Sequence, residues 1–258
     1  MSSLRTVHVT RYVTPLREGG SLPAIIEADD DGLYVLKFRG AGQGPRALVA
    51  ELVSGELARA IGLPVPELVF VDLDADLART EPDPEIQALI RASAGLNLAL
   101  DYLPGSVSFD PLADRVDPAL ASEVVWFDAY TSNVDRTARN TNLLMWHRRL
   151  WLIDHGASLY FHHAMPAAGF TSRSDDPFAR ISEHVLLGRA AAIGDADARL
   201  APRLHDDVIQ AVTGRIPDDW LGEDAGTQRA AYAAYLRARV RGARSFVEEA
   251  TRARLSRV

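Results

Sequence analysis

The sequence predicts an α+β protein of two lobes: a small antiparallel β-sheet lobe carrying one main helix, then a larger, mostly helical lobe. Three observations predict it. The first hundred residues break into short apolar runs of period two, separated by Gly, Pro and Asp turns. One strongly helical stretch, between Pro45 and Gly62, interrupts those runs. From about Asp117 the chain turns to segments of helical spacing, increasingly rich in Ala, Leu and Arg.

Residues 7–13 alternate as an edge strand, 22–28 form a second strand, and 32–39 (GLYVLKFR) a third, after the turn-forming Asp29-Asp30-Asp31-Gly32. Pro45 opens the helix where proline fits best, and Gly62 closes it. Residues 68–73 and 96–103 complete a five-stranded antiparallel sheet. A connector at about 101–108 leads to the helical part. There, short strands at 143–146 and 150–153 interrupt the helices, and 227–254 reads as one long helical segment. The expected division is 1–104 and 105–258, with no internal repeat.

Composition narrows the function. At 258 residues, with 47% hydrophobic and 24% charged residues, the chain has the makings of a globular enzyme and can bury a real core. With no cysteine, disulfides, thiolate metal sites and thiol nucleophiles are excluded. The polar N-terminus and the lack of a long apolar run lead us to expect a cytoplasmic protein without a membrane partner. A net charge of −7 argues against direct nucleic-acid binding, and leaves an anionic substrate in need of a metal.

Lys37 is the first residue out of place. On a strand it shares one face with Leu33 and Val35, while Tyr34, Leu36 and Phe38 take the other, so both faces are apolar. Such a lysine must snorkel to water, pair with a carboxylate or hold an anion. Val35-Leu36-Lys37 also matches the Val-Ala-Ile-Lys pattern in which a lysine contacts ATP phosphates. On the following helix Glu51 projects from a face of small residues (Ala47, Ala50, Ser54, Gly55, Ala58) that lets the helix approach a sheet closely, which would bring it to Lys37. Glu56 is the rival, but Arg59 three residues on explains it as a solvated helix pair. Two glycine clusters flank the strand, Gly19-Gly20-Ser21 and residues 40–44. Either serves as an ordinary turn, and neither has a complete phosphate-loop spacing.

The second constellation is more specific. Asp135 is followed five residues later by Asn140, the separation of base and metal ligand in a kinase catalytic loop. A short hairpin with a basic turn, His147-Arg148-Arg149, then leads to Asp154-His155-Gly156. Phosphoryl transfer needs magnesium held by hard oxygens, which Asn140 and Asp154 would bring from the two ends of one hairpin. It also needs a carboxylate to orient the acceptor hydroxyl, the role that fits Asp135. A capping asparagine and a strand-end aspartate explain each residue alone but not the ordered set. Histidines 155, 162, 163, 184 and 205 show no metal-binding spacing and read as surface or packing residues; Asp175-Asp176 and Asp206-Asp207 read as helix starts.

With those residues in view, the chain resembles the HipA-like branch of the protein-kinase-like superfamily, in its short form without an extra N-terminal domain. The resemblance runs from Gly19-Gly20-Ser21 through Lys37, GELARAIGLPVPE (residues 55–67), WFDAYTSNVDRTARN (126–140) and LIDHG (152–156). It implies a two-lobed kinase fold with ATP between a nucleotide-binding lobe and a lobe carrying the catalytic loop and metal site, and Mg2+ as cofactor. Gly19, Gly20, Ser21 and Lys37 would contact the nucleotide, and the segment Leu100-Asp101-Tyr102-Leu103-Pro104-Gly105 resembles the hinge, where the backbone of Asp101 and Leu103 would meet adenine. Two departures stand out: Thr137 where the family often has histidine, and His155 in place of the aromatic of Asp-Phe-Gly. The expected activity is γ-phosphate transfer to a hydroxyl, protein Ser/Thr first and a small molecule of the aminoglycoside or choline type second, with Ser21 a candidate for autophosphorylation. Two other readings remain: a nucleotide-binding pseudokinase that serves as an interaction module, and a metal-dependent phosphohydrolase built on Asp135, Asp154 and histidines.

Overall fold

The computed structural model describes residues 4–16 and 22–257. Five strands, β1 (Thr6–Pro15), β2 (Ala24–Ala28), β3 (Leu33–Lys37), β4 (Leu68–Leu73) and β5 (Gly95–Asp101), follow the expected runs. Their pairing differs from a plain antiparallel sheet. The order β1-β2-β3-β5-β4 closes into a barrel, and the closing contact is parallel: Thr6, Val7 and His8 of β1 pair with Phe70, Val71 and Asp72 of β4. Register shifts in β1 between Val9 and Arg11 and between Tyr12 and Thr14 bend that strand, so one end pairs β4 and the other β2. Closure removes the exposed edges a five-stranded sheet would present.

Alternation fills the barrel. Val7, Ile26, Tyr34, Leu36, Val69, Val71 and Ala99 point inward, joined by Ile86 and Ile90 of a helix not anticipated from the sequence, α2 (Pro84–Ala92). Asp83 caps it by accepting from the Glu85 N–H, and Pro84 occupies its first turn.

Helix α1 (Pro45–Ile61) begins after Gly44, whose φ of 70° and ψ of −156° suit only glycine, and ends at Gly62 with φ 92°. It is buried from Leu48 to Ala58, because it lies between the barrel and the helical half. The small face does allow a close approach: a Cβ on Gly55 would stand 3.0 Å from Leu68 Cδ2 of β4.

The helical half is organised around α3 (Pro118–Thr131), buried throughout from Val124 onward. Strands β6 (Val107–Ser108), β7 (Leu143–Trp146) and β8 (Arg149–Leu152) make a small antiparallel sheet beside it. Turns of 3-10 helix carry the chain from Tyr160 to Arg189, followed by α4 (Ile193–Leu200), α5 (Asp206–Thr213), α6 (Asp218–Leu221), α7 (Ala225–Arg241) and α8 (Ser245–Leu255). The expected single segment 227–254 is therefore two helices. Gly242 breaks it with an extended ψ of −153°, and a Cβ there would come within 2.8 Å of Ala238 O. No helix among the described residues is long and apolar enough to cross a membrane.

Candidate active site

Strand alternation aims Lys37 out of the barrel towards the helical half. Its Nζ lies 2.9 Å from Asp154 Oδ1, an ion pair across the two halves. Burial works to lower the Lys37 pKa, but the charges of Asp154 and Glu51 outweigh it and hold the amine raised. Burial likewise pulls Asp154 up, and the Lys37 charge and hydrogen bond leave it below its ordinary value. The backbone of Asp154 is left-handed (φ 55°), a conformation aspartate tolerates better than most residues.

Glu51 does not make the expected ion pair. It is 1% exposed, and among the described residues neither carboxylate oxygen makes a hydrogen bond of ordinary geometry. Burial pushes its pKa to about 7, against the opposing charge of Lys37 and the nearby His155 amide. Two carboxylates compete for one ammonium, and Asp154, more exposed and so cheaper to ionise, holds it. Glu56 is no competitor, because Arg215 and Arg59 bind it.

The loop after α3 gathers the remaining side chains. Asp135 Oδ2 accepts from Asn140 Nδ2 at 2.7 Å and from Asn142 Nδ2 at 3.1 Å. Thr137, at the departure from the family pattern, binds the loop to itself: its N–H donates to Asp135 O and Asn140 O, both at 2.9 Å. His155, at the other departure, is fully buried with its ring edge-on to Phe127, and burial lowers its pKa to about 3. It is a neutral ring that fills an aromatic's place.

Two cavities meet at this site. The larger, about 590 Å³, is lined by Val35, Leu100, Leu103 and Ile153 among apolar residues, and by Lys37, Asn140 and Asp154. Asp101 also lines it, but its N–H is engaged with Glu67 O; the Leu103 N–H has no partner among the described residues. Gly19, Gly20 and Ser21 lie outside the described residues, while Leu16 and Pro23 on either side of that turn line the cavity mouth. The smaller cavity, about 320 Å³, is lined by Ala41, Gly42 and Gln43 of the second glycine cluster, by Glu51, Asp135 and Tyr160, and again by Lys37, Asn140 and Asp154.

The donor set suits a hard divalent cation. Asn140 donates through Nδ2 to Asp135, which leaves its side-chain Oδ1 without a partner among the described residues, and Lys37 contacts one oxygen of Asp154, which leaves the other. Among the described residues no three His, Asp or Glu side chains converge as a metal cluster. His162 and His184 are buried, the first bonded to Tyr232 and the second to Asp128.

Sequence reasoning missed a buried network next to this loop. Arg136 and Asp128, both without solvent exposure, form an ion pair, and His184 and Asn133 also bind the Asp128 carboxylate. The signal was present as a lone aspartate in the otherwise apolar stretch Val-Val-Trp-Phe-Asp-Ala-Tyr of α3.

The model of the HipA-like kinase family matches residues 9–239. The chain belongs to the HipA-like kinase family. A solved relative in fold is the Helicobacter pylori proinflammatory kinase CtkA, with a TM-score of 0.59 at 13% identity, covering 98% of this chain and 99% of that one. Another is the Golgi casein kinase with Mn/ADP bound, with a TM-score of 0.50 at 13% identity, covering 100% of this chain and 76% of that one. No curated protein matches the sequence. At these identities the structural likeness shows a kinase fold for this HipA-like kinase, and the family match carries the assignment to phosphotransferases.

Proposed function

We propose that this HipA-like kinase transfers the γ-phosphate of ATP, with Mg2+, to a hydroxyl group, most readily a protein serine or threonine. The observation that carries the proposal is the shared position of Lys37, Asn140 and Asp154 at the junction of two cavities, one apolar and hinge-lined, the other containing Asp135. Mn and ADP in the Golgi casein kinase are in keeping with this reading. In it the lobes divide at 104/105, and the protein works in the cytoplasm.

Adenine would enter the larger cavity, with the Leu103 N–H as its donor and the Asp101 carbonyl as its acceptor. Lys37 would bind a phosphate oxygen, and Glu51 would become its counter-ion once Asp154 serves the metal. Asn140 and Asp154 would hold magnesium, which neutralises charge on the phosphate oxygens. Asp135 Oδ2 is held by two amides, so Oδ1 is the atom that would accept the acceptor's proton as its oxygen bonds to the γ-phosphorus and ADP leaves. The smaller cavity also favours a second acceptor class. Glu51, Asp135 and Asp154 line it, with Lys37 as the one cation among the described residues, a setting that suits a compact amine-bearing alcohol.

Calorimetry of ATP binding with and without Mg2+, followed by mass spectrometry of proteins and small molecules incubated with ATP, tests the proposal. Nucleotide binding that requires the metal, with mass gain on a protein hydroxyl, is the expected result. Binding without transfer to any acceptor would make the chain a pseudokinase.

A further inference from the structure

We infer that Arg136 is the positioning residue of this site, a single buried guanidinium that fixes the spacing of Asp135, Asn140 and Asp154. The purpose of that spacing rests on the phosphoryl-transfer reading; the geometry does not. Arg136 follows Asp135 directly, and its side chain is fully enclosed. Its Nε donates to Asp128 Oδ2 at 2.5 Å, which anchors it to α3. Its Nη1 donates both to Asn142 O and, at 3.2 Å, to Ile153 O. Its Nη2 lies 3.4 Å from His155 Nδ1.

Those partners sit where the hairpin leaves its two strands. Asn142 comes two residues after Asn140, and its side-chain amide binds Asp135; Ile153 directly precedes Asp154, and His155 directly follows it. The Ile153 N–H also donates to Asn142 O at 3.1 Å, so Nη1 clasps a pinch already closed by the backbone. Both departures from the pinch are left-handed, Asn142 at φ 47° and Asp154 at φ 55°, conformations that need their surroundings to hold them.

The anchor is itself fixed. His184 Nδ1 accepts from the Leu186 N–H at 3.0 Å, so the proton sits on Nε2, which donates to Asp128 at 2.9 Å. Burial keeps that imidazole neutral, which leaves one carboxylate balanced by one guanidinium. The Val185 N–H holds Arg136 O at 3.1 Å, so backbone and side chain are both clamped. Burying an ion pair is seldom the most stabilising way to fill a core, since apolar residues of similar volume often do as well. A fork of donors aimed at two carbonyls is something no apolar side chain supplies.

That contrast defines the test. Arg136→Met alone strands Asp128 and is expected to lower the melting temperature; the double variant Asp128→Asn/Arg136→Met removes both charges and should recover most of it. Mn2+ affinity would be measured by EPR with ADP present, ADP affinity without metal, and amide exchange over residues 140–143 and 153–156. In the double variant we expect Mn2+ affinity to stay weaker by about tenfold or more, as when a residue supporting a metal ligand is lost. Exchange at both segments should stay faster by a similar factor, while metal-free ADP affinity shifts by less than about twofold. Recovery of metal affinity and protection along with the melting temperature would overturn the inference, as would no change in either variant. Wild-type protein that binds no metal beside ADP would refute the kinase reading instead, and the exchange comparison would still test the clamp.

Discussion

Replacing Arg239 with methionine should destabilise the protein strongly, although arginine is ordinarily a surface residue. Arg239 on α7 is 0% exposed, and the hydrogen bonds of its guanidinium among the described residues all go to backbone carbonyls. It donates to Tyr130 O, Ala129 O and Asp176 O, each at 2.8 Å, and to Ser174 O at 3.0 Å, with the charge 4.8 Å from the centre of the Phe246 ring. Two of those carbonyls belong to the last turn of α3, where the helix dipole favours a cation. Methionine keeps the stem's packing but supplies no donor, so four carbonyls lose a charged hydrogen bond worth about 1.5–3 kcal/mol each before the guanidinium's own desolvation is credited back. A net loss of about 3–5 kcal/mol is a large share of a typical stability of about 5–15 kcal/mol. For a chain of this size it corresponds to a melting point lower by about 10 °C. Thermal melting followed by circular dichroism reads it. A shift under about 2 °C would show that the carbonyls find other donors and that the buried charge is not the tie between α3, α7 and the segment at 173–176.

Other changes have opposite signs. Glu51 titrates near 7 in the folded protein against 4.5 when unperturbed, so stability is full below about pH 4.5 and is lost as pH rises through about 7. Glu51→Gln should therefore raise the melting point at pH 8 more than at pH 5, by up to about 2 kcal/mol in differential stability, while lowering turnover; equal gains at both pH values would contradict the shift. The β7–β8 turn places His147 at φ 47° and Arg148 at φ 64° between the paired Trp146 and Arg149, the double left-handed geometry that favours Asn-Gly. Exchanging the two residues for Asn-Gly should stabilise the fold by about 1–2 kcal/mol, seen as a higher denaturant midpoint with unchanged slope. Lys37→Met should weaken ATP binding and cut turnover by at least about tenfold without lowering the melting point by more than a few degrees, because the lost ion pair is partly exposed on the Asp154 side; unchanged turnover would remove Lys37 from the site.

Local pattern made the elements legible, and distance made the rest obscure. Strand 68–73 and strand 143–146 appear at their expected bounds, and α1 spans the interval between its Pro and Gly signals, because period and turn chemistry act over a few residues. The parallel closure of β1 on β4 joins residues 64 positions apart and leaves no local trace. Helix α2 was readable from Asp83-Pro84 and from Ile86 and Ile90, yet its short apolar stripe is easily passed over. The order Lys37, Asp135, Asn140, Asp154 foretold residues that the fold brings around one pair of cavities. It did not foretell that Lys37 would choose Asp154 over Glu51, which depends on the left-handed backbone at Asp154 and on the cost of ionising a fully buried carboxyl. Arg136 and Arg239 were hidden for a different reason: arginine reads as a surface residue unless its carbonyl and carboxylate partners, scattered along the chain, are known.

Transfer of radiolabelled γ-phosphate from ATP to an acceptor, compared between the wild type and Asp135→Ala, tests the kinase account at its centre. The wild type should label a hydroxyl acceptor in the presence of Mg2+, and Asp135→Ala should lose about 10²–10⁴-fold of that rate while binding nucleotide within about twofold of the wild type. Labelling that proceeds equally well in Asp135→Ala, or a wild type that binds ATP and labels nothing with any divalent metal, would contradict it.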